Sequence, residues 1–249
     1  MKLLIINPNT SDAITARVLG EARRIASRDT ELKAVTGRFG ARYVASRAAY
    51  AIAGHAALEA YAEHAADADA VLLACFGDPG LFALKELARQ PVVGMAEASC
   101  LTAAALGGRF SIVTGGERWA PMLEEFVASI GLRERLAAIE TVAPSGADIA
   151  RDPDGALNML ADACTEAVAR HRADSVILAG AGLVGLAARI AHRVPAPLVD
   201  CLAASLRMAE TLARANVAKP ERGSFAATPP VETVGLAPAL AAMLEKGGV

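Results

Sequence analysis

The residue with the most chemistry to offer is Cys75. It closes the run Val71-Leu72-Leu73-Ala74-Cys75 and is followed at once by Phe76, Gly77, Asp78, Pro79 and Gly80. An apolar run that breaks into Gly, Asp and Pro reads as a buried parallel strand ending in a tight turn that leads into a helix. Cys75 then stands at the carboxyl edge of a sheet, where open α/β folds bind ligands and where the N–H groups of the following turn can hold an anion. A thiol so placed is a candidate nucleophile or base, because its pKa can be tuned toward neutrality. The competing reading is a small buried side chain with no chemistry, since free Cys is among the most buried residue types.

The other reactive types form no cluster. Cys75, Cys100, Cys164 and Cys201 are far apart, with no C-x-x-C pair, and none of the four histidines falls at metal-ligand spacing from them. Neither a disulfide framework nor a metal site is expected. With no G-x-G-x-x-G after the first strand and no P-loop, no cofactor is expected either.

Stepping outward, the elements that would position Cys75 alternate strand and helix. Lys2–Ile6 reads as a first strand and Asp12–Ala26 as an amphipathic helix, with Thr10 or Ser11 placed to cap it. Glu31–Thr36 reads as a second strand, Ser46–Ala66 as a helix, Leu81–Ala88 as another helix, and Pro91 opens the strand PVVGMAEAS. The order then restarts: Ile5 and Ile112, Cys75 and Gly180, and Val93 and Val199 recur 105 to 107 positions apart in matching segments. The expected fold is therefore α/β: two similar halves, each a parallel sheet flanked by helices, rather than a short-period solenoid. If the halves face each other, the tips of their third strands, Cys75 and Gly180, meet across one cleft. A helix at Trp119–Ile130, a strand at Leu136–Val142, and helices running to His171 and from Cys201 to Asn216 complete the second half. A Pro-rich crossing and a short helix at Ala237–Glu245 follow.

Bulk properties narrow the function classes. The 249 residues are 54% hydrophobic and 4% aromatic with a formal net charge of −2, a profile that excludes a disordered chain or a nucleic-acid-coating protein. The opening MKLLIINPNT meets Asn and Pro too soon for a signal peptide, so the chain is expected to be cytoplasmic, with a small-molecule substrate and no membrane partner.

Read together, INPNTS (Ile6–Ser11), CFGDPGL (Cys75–Leu81), VVGMAEA (Val92–Ala98), GGRFSIVT (Gly107–Thr114) and AGAGL (Ala179–Leu183) resemble the aspartate/glutamate/hydantoin racemase superfamily, and most closely its hydantoin and allantoin racemase branch. The resemblance implies a cofactor-independent enzyme in which two cysteines flank an acidic carbon and move its proton between opposite faces. Cys75 matches the first cysteine. Gly180 stands where the second is expected, and Gly supplies neither acid nor base. Water, a hydroxyl or Asp78 is then left to act on the second face.

The resemblance further implies a pseudo-twofold axis, a first domain of residues 1–97 and 205–249, a second domain of 98–204, and a homo-oligomer. By the same token Asn9, Thr10 and Ser11 form a substrate loop, with Thr114 its counterpart in the second half. Phe76, Gly77, Ala181 and Gly182 offer backbone N–H groups to a carboxylate or ring carbonyl. Asp78 reads first as a cap for the helix that follows it and second as a proton-transfer group. Tyr43 could form part of a pocket wall. Trp119 reads as packing, as do Cys100 and Cys201, each expected to begin a helix. Three functional classes are open: a racemase-family proton-transfer enzyme, a one-cysteine lyase resembling arylmalonate decarboxylase, and a binding protein that kept the cleft.

Overall fold

A computed structural model describes residues 1–247; the last two residues of the expected 205–249 segment, Gly248 and Val249, lie outside the described residues. The first half runs β1 (Lys2–Asn7), α1 (Asp12–Ile25), β2 (Glu31–Thr36), α2 (Arg47–His64), β3 (Ala70–Leu73), α3 (Leu81–Leu87), β4 (Val92–Gly94) and α4 (Met95–Leu106). The second runs β5 (Phe110–Gly115), α5 (Trp119–Ser129), β6 (Leu136–Val142), α6 (Gly146–Arg151), α7 (Pro153–His171), β7 (Ser175–Ala179), α8 (Ala187–Ile190) and β8 (Leu198–Asp200). Helices α9 (Cys201–Arg214) and α10 (Pro238–Glu245) close the described chain.

The strands form two four-stranded parallel sheets of identical topology, ordered β2-β1-β3-β4 and β6-β5-β7-β8. Each sheet is buried by helices, as parallel sheets require. In the second sheet the pleat divides the side chains. Ile112, Ile177 and Ala179 join a core shared with the first half, while Val113, Val176 and Leu178 pack under α7 and α8. Helix α9 lies against α4, α1 and β3, and α10 against α2. Among the described residues no helix is long and apolar enough to cross a membrane.

Two sequence expectations need correction. Segment PVVGMAEAS is a strand only over Val92–Gly94 and turns helical at Met95, so Cys100 sits inside α4 instead of opening a helix. The cause is Asp78, whose two carboxylate oxygens accept the N–H groups of Ala96 (2.9 Å) and Glu97 (2.8 Å) and thereby nucleate the first turn of α4. Asp78 accordingly caps α4 and not α3, the helix that follows it; α3 starts from Gly80 without a side-chain cap.

Candidate functional site

In both sheets the first strand lies beside the third, so each half brings its first loop next to its third turn at the carboxyl edge. In the first half the register Ile6↔Leu73 continues into a bond from the Ala74 N–H to the Ile6 carbonyl (2.8 Å), which sets Cys75 beside the loop that follows Asn7. In the second half Thr114 pairs with Ala179, which sets Gly115 beside Gly180. The two edges face one cleft whose enclosed space is small, about 40 Å³, and which opens to solvent at its mouth. Its wall contains Asn9, Cys75, Phe76, Thr114, Gly180, Ala181 and Gly182, together with Ile14, Tyr43, Val44, Trp119, Gly146 and Leu183. No charged side chain is among them.

Four of the sequence candidates stand elsewhere. Ser11 caps α1, accepting the Ile14 N–H at 3.4 Å, and Thr10 is held through its backbone N–H on the Ala41 carbonyl at 3.1 Å. Gly77 lies under Trp119: a Cβ there would meet the indole at 2.8 Å, and its φ of +108° suits glycine. Asp78 points away from the cleft into the α4 N-terminus.

Asn9 is held with its amide defined. Its Oδ1 accepts the Ser11 backbone N–H (2.9 Å) and the Asn7 side-chain amide (2.9 Å), so the oxygen faces inward and the NH₂ is left for the cleft. Asn7 is fully buried and also donates to Thr15 Oγ1 at 2.9 Å. Opposite, the Thr114 hydroxyl donates to the Ala179 carbonyl at 2.9 Å. Among the described residues the N–H groups of Phe76, Gly77, Ala181 and Gly182 have no backbone acceptor.

Burial pushes the Cys75 thiol up to about 12, and the charge of Asp78 adds to the effect. Burial also raises Asp78, to about 8, against the pull of its two N–H donors. The site at rest thus holds a protonated sulfur at neutral pH. The Tyr43 hydroxyl is raised by burial and opposed by donors from Gly146 and Trp119. Tyr43 and Trp119 belong to the site as a pair, since the Trp119 indole N–H bonds the Tyr43 oxygen at 3.3 Å. The sequence alone reads Trp119 as packing. Its signal was positional: it follows the tip of β5 just as the NPNTS loop follows β1.

Comparisons with known proteins bear on the family and the fold. The Asp/Glu/Hydantoin racemase family model matches residues 3–209. A hydantoin racemase from Paenarthrobacter aurescens is 36% identical over 214 residues, covering 85% of this chain and 91% of the relative. The crystal structure of allantoin racemase from Pseudomonas fluorescens superposes with a TM-score of 0.90 at 30% identity, covering 94% of this chain and all of that one. Arylmalonate decarboxylase superposes with a TM-score of 0.61 at 18% identity, over 88% of this chain and 96% of the other, which is likeness of fold alone.

Proposed function

The chain belongs to the Asp/Glu/hydantoin racemase family, and from that premise we propose that it is a cofactor-independent enzyme moving a proton at the carbon next to a carbonyl in a small hydantoin-like substrate, with Cys75 as the acid–base group on one face. The observation that carries the reading is the position of Cys75: it lines a cleft with no charged side chain, beside turn N–H groups that have no backbone acceptor. A carbon acid next to a carbonyl needs a base within reach and hydrogen-bond donors aimed at the oxygen where charge develops. The Asn9 NH₂ and the N–H groups of Phe76, Ala181 and Gly182 are donors of that kind. Neutral donors and an uncharged wall suit a carbonyl-bearing ring better than a substrate carrying several charges. Thr10, Ser11 and Asp78 act at one remove, by holding the loop and the helices around the site.

The test is deuterium exchange at C5 of 5-isopropylhydantoin in D₂O, parent against Cys75→Ser. Exchange in the parent that disappears in the variant supports the reading; absence of exchange in the parent, or equal exchange in both, refutes it. A second reading, a one-cysteine lyase, is favoured by the raised thiol pKa, because a sulfur that rests protonated is suited to deliver a proton to a carbanion made by loss of carboxylate. Release of CO₂ from an α-substituted malonate would select it. Binding of the hydantoin without exchange or release would select the binding protein.

A further inference from the structure

Gly180 supplies no proton on the second sheet's side of the cleft, yet a hydroxyl is anchored there. Tyr43 leaves the β2–α2 loop of the first half and places its oxygen among second-half groups: the Gly146 N–H at 3.1 Å, the Trp119 indole N–H at 3.3 Å and the Gly115 carbonyl at 3.4 Å. Gly115 and Gly180 directly follow the paired residues Thr114 and Ala179, so the hydroxyl is held by groups at the second sheet's edge while Tyr43 lines the same cavity as Cys75.

The valences of the hydroxyl are set by its partners. Backbone and indole N–H groups can only donate, so both phenol lone pairs are occupied and one hydrogen is left to give. Its sole protein acceptor among the described residues is the Gly115 carbonyl, and 3.4 Å is well beyond the ordinary O–H···O distance of about 2.5–3.0 Å. The hydrogen is therefore available to a molecule in the cleft. The same two N–H groups would hold the charge of a tyrosinate once it had left.

We propose that the Tyr43 hydroxyl is the proton donor on the face of the substrate carbon opposite Cys75. The proposal rests on the proton-transfer reading above. In the step from one enantiomer, the Cys75 thiolate takes the C–H proton, an S–H bond forms, and the electron pair passes into the carbonyl as an enolate. The Tyr43 O–H bond then breaks as a C–H bond forms on the far face, leaving tyrosinate against the Gly146 and Trp119 N–H groups. Solvent returns a proton to the tyrosinate and removes one from Cys75. The reverse direction starts from tyrosinate and a protonated Cys75.

The experiment follows each enantiomer of 5-isopropylhydantoin in D₂O, reading loss of the C5 hydrogen by NMR and inversion by chiral chromatography, with the uncatalysed rate subtracted. The parent exchanges and inverts. Tyr43→Phe keeps exchange of the enantiomer whose hydrogen faces Cys75 and loses inversion by about 10²–10⁴-fold, the usual contribution of a placed acid or base. Inversion unchanged in Tyr43→Phe overturns the proposal. So does an equal fall in exchange and inversion, which would make the hydroxyl a holder of the substrate oxygen. Exchange without inversion in the parent also overturns it and leaves Cys75 standing, whereas no exchange in the parent refutes the function reading and the proposal with it. Should Tyr43→Phe fail to fold, Trp119→Phe replaces it: that variant keeps the hydroxyl and removes one N–H donor, so inversion must fall relative to exchange, and an unchanged ratio overturns the proposal.

Discussion

Replacing Gly180 tests the backbone and the chemistry of the second half separately. At φ +127° its backbone lies where L side chains are rarely found, while the space around it is open: a Cβ would meet Leu183 Cδ1 at 3.4 Å and Thr114 Oγ1 at 3.9 Å, both ordinary contacts. Strain therefore sets the cost, and strained positions of this kind cost about 1–3 kcal/mol. For a chain of this length each kcal/mol lowers Tm by roughly 2–4 °C, so Gly180→Ala and Gly180→Cys should both melt about 2–12 °C below the parent. Calorimetry on the two variants measures that shared cost, and any difference between them in the ratio of inversion to exchange reports the thiol alone. Gly180→Cys is expected to raise that ratio above Gly180→Ala by placing a second sulfur across from Cys75. An Ala variant that melts with the parent would refute the strain argument. A Cys variant that folds, binds 5-isopropylhydantoin and matches Ala in the ratio would refute the pairing of position 180 with Cys75.

Cys75→Ser should remove at least about 10² of the exchange rate while leaving the melting curve near the parent's, because the change at a buried strand end is nearly isosteric; circular dichroism and NMR exchange check the two halves of that statement. In the parent the exchange rate should rise about tenfold per pH unit between roughly pH 7 and 9, since a thiol pushed up to about 12 is mostly protonated there and the thiolate fraction grows in that proportion; a flat profile would remove the thiolate as base. Above about pH 8, where Asp78 is ionised, Asp78→Asn should cost about 1–3 kcal/mol in urea unfolding with activity per folded molecule preserved, because one of the two N–H groups opening α4 would then face an amide donor. Burial pushes the Glu210 carboxyl up, but hydrogen bonds from Thr30, Ser27 and Arg207 outweigh it and hold it below the usual Glu range. The unfolded chain then takes up that proton at higher pH than the folded one, so this stabilisation is complete above the ordinary Glu pKa and is lost as pH falls through the folded value. Unfolding measured against pH should show Glu210→Gln less stable than the parent at pH 7, with the gap narrowing below about pH 4.

The fold was legible because the inner strands β1, β3, β5 and β7 are buried on both faces and so carry near-continuous apolar runs, and because the same runs recur at one offset in both halves. Strand Glu31–Thr36 falls where the sequence reading puts it, although it is an edge strand and only partly buried. What could not be read was long-range. That Asp78 caps α4 depends on an oxygen reaching residues 18 and 19 positions later, and no local pattern separates that from a cap on the adjacent helix. Tyr43 is the sharper case: its hydroxyl bonds residues 72, 76 and 103 positions away, so a loop tyrosine with no local motif enters the site only when the two halves close on each other.

That difference bears on how the two halves divide the work. The two sheet edges share one topology, and a symmetric site would place the same group at each strand tip. Here the tips differ: one carries a thiol, the other a glycine whose backbone conformation disfavours any side chain. The second edge still presents a hydroxyl donor, but it comes from a first-half tyrosine whose oxygen is held by N–H groups on α5 and α6, not from β7 itself. A group carried by a loop follows that loop's motion, whereas one on a strand tip moves with the sheet. If the proposed division of roles holds, shortening the loop that carries Tyr43 by one residue, between Gly37 and Arg42, should impair inversion far more than exchange. Equal loss of both would show that the loop serves the cleft as a whole and that no single proton donor on it separates the two faces.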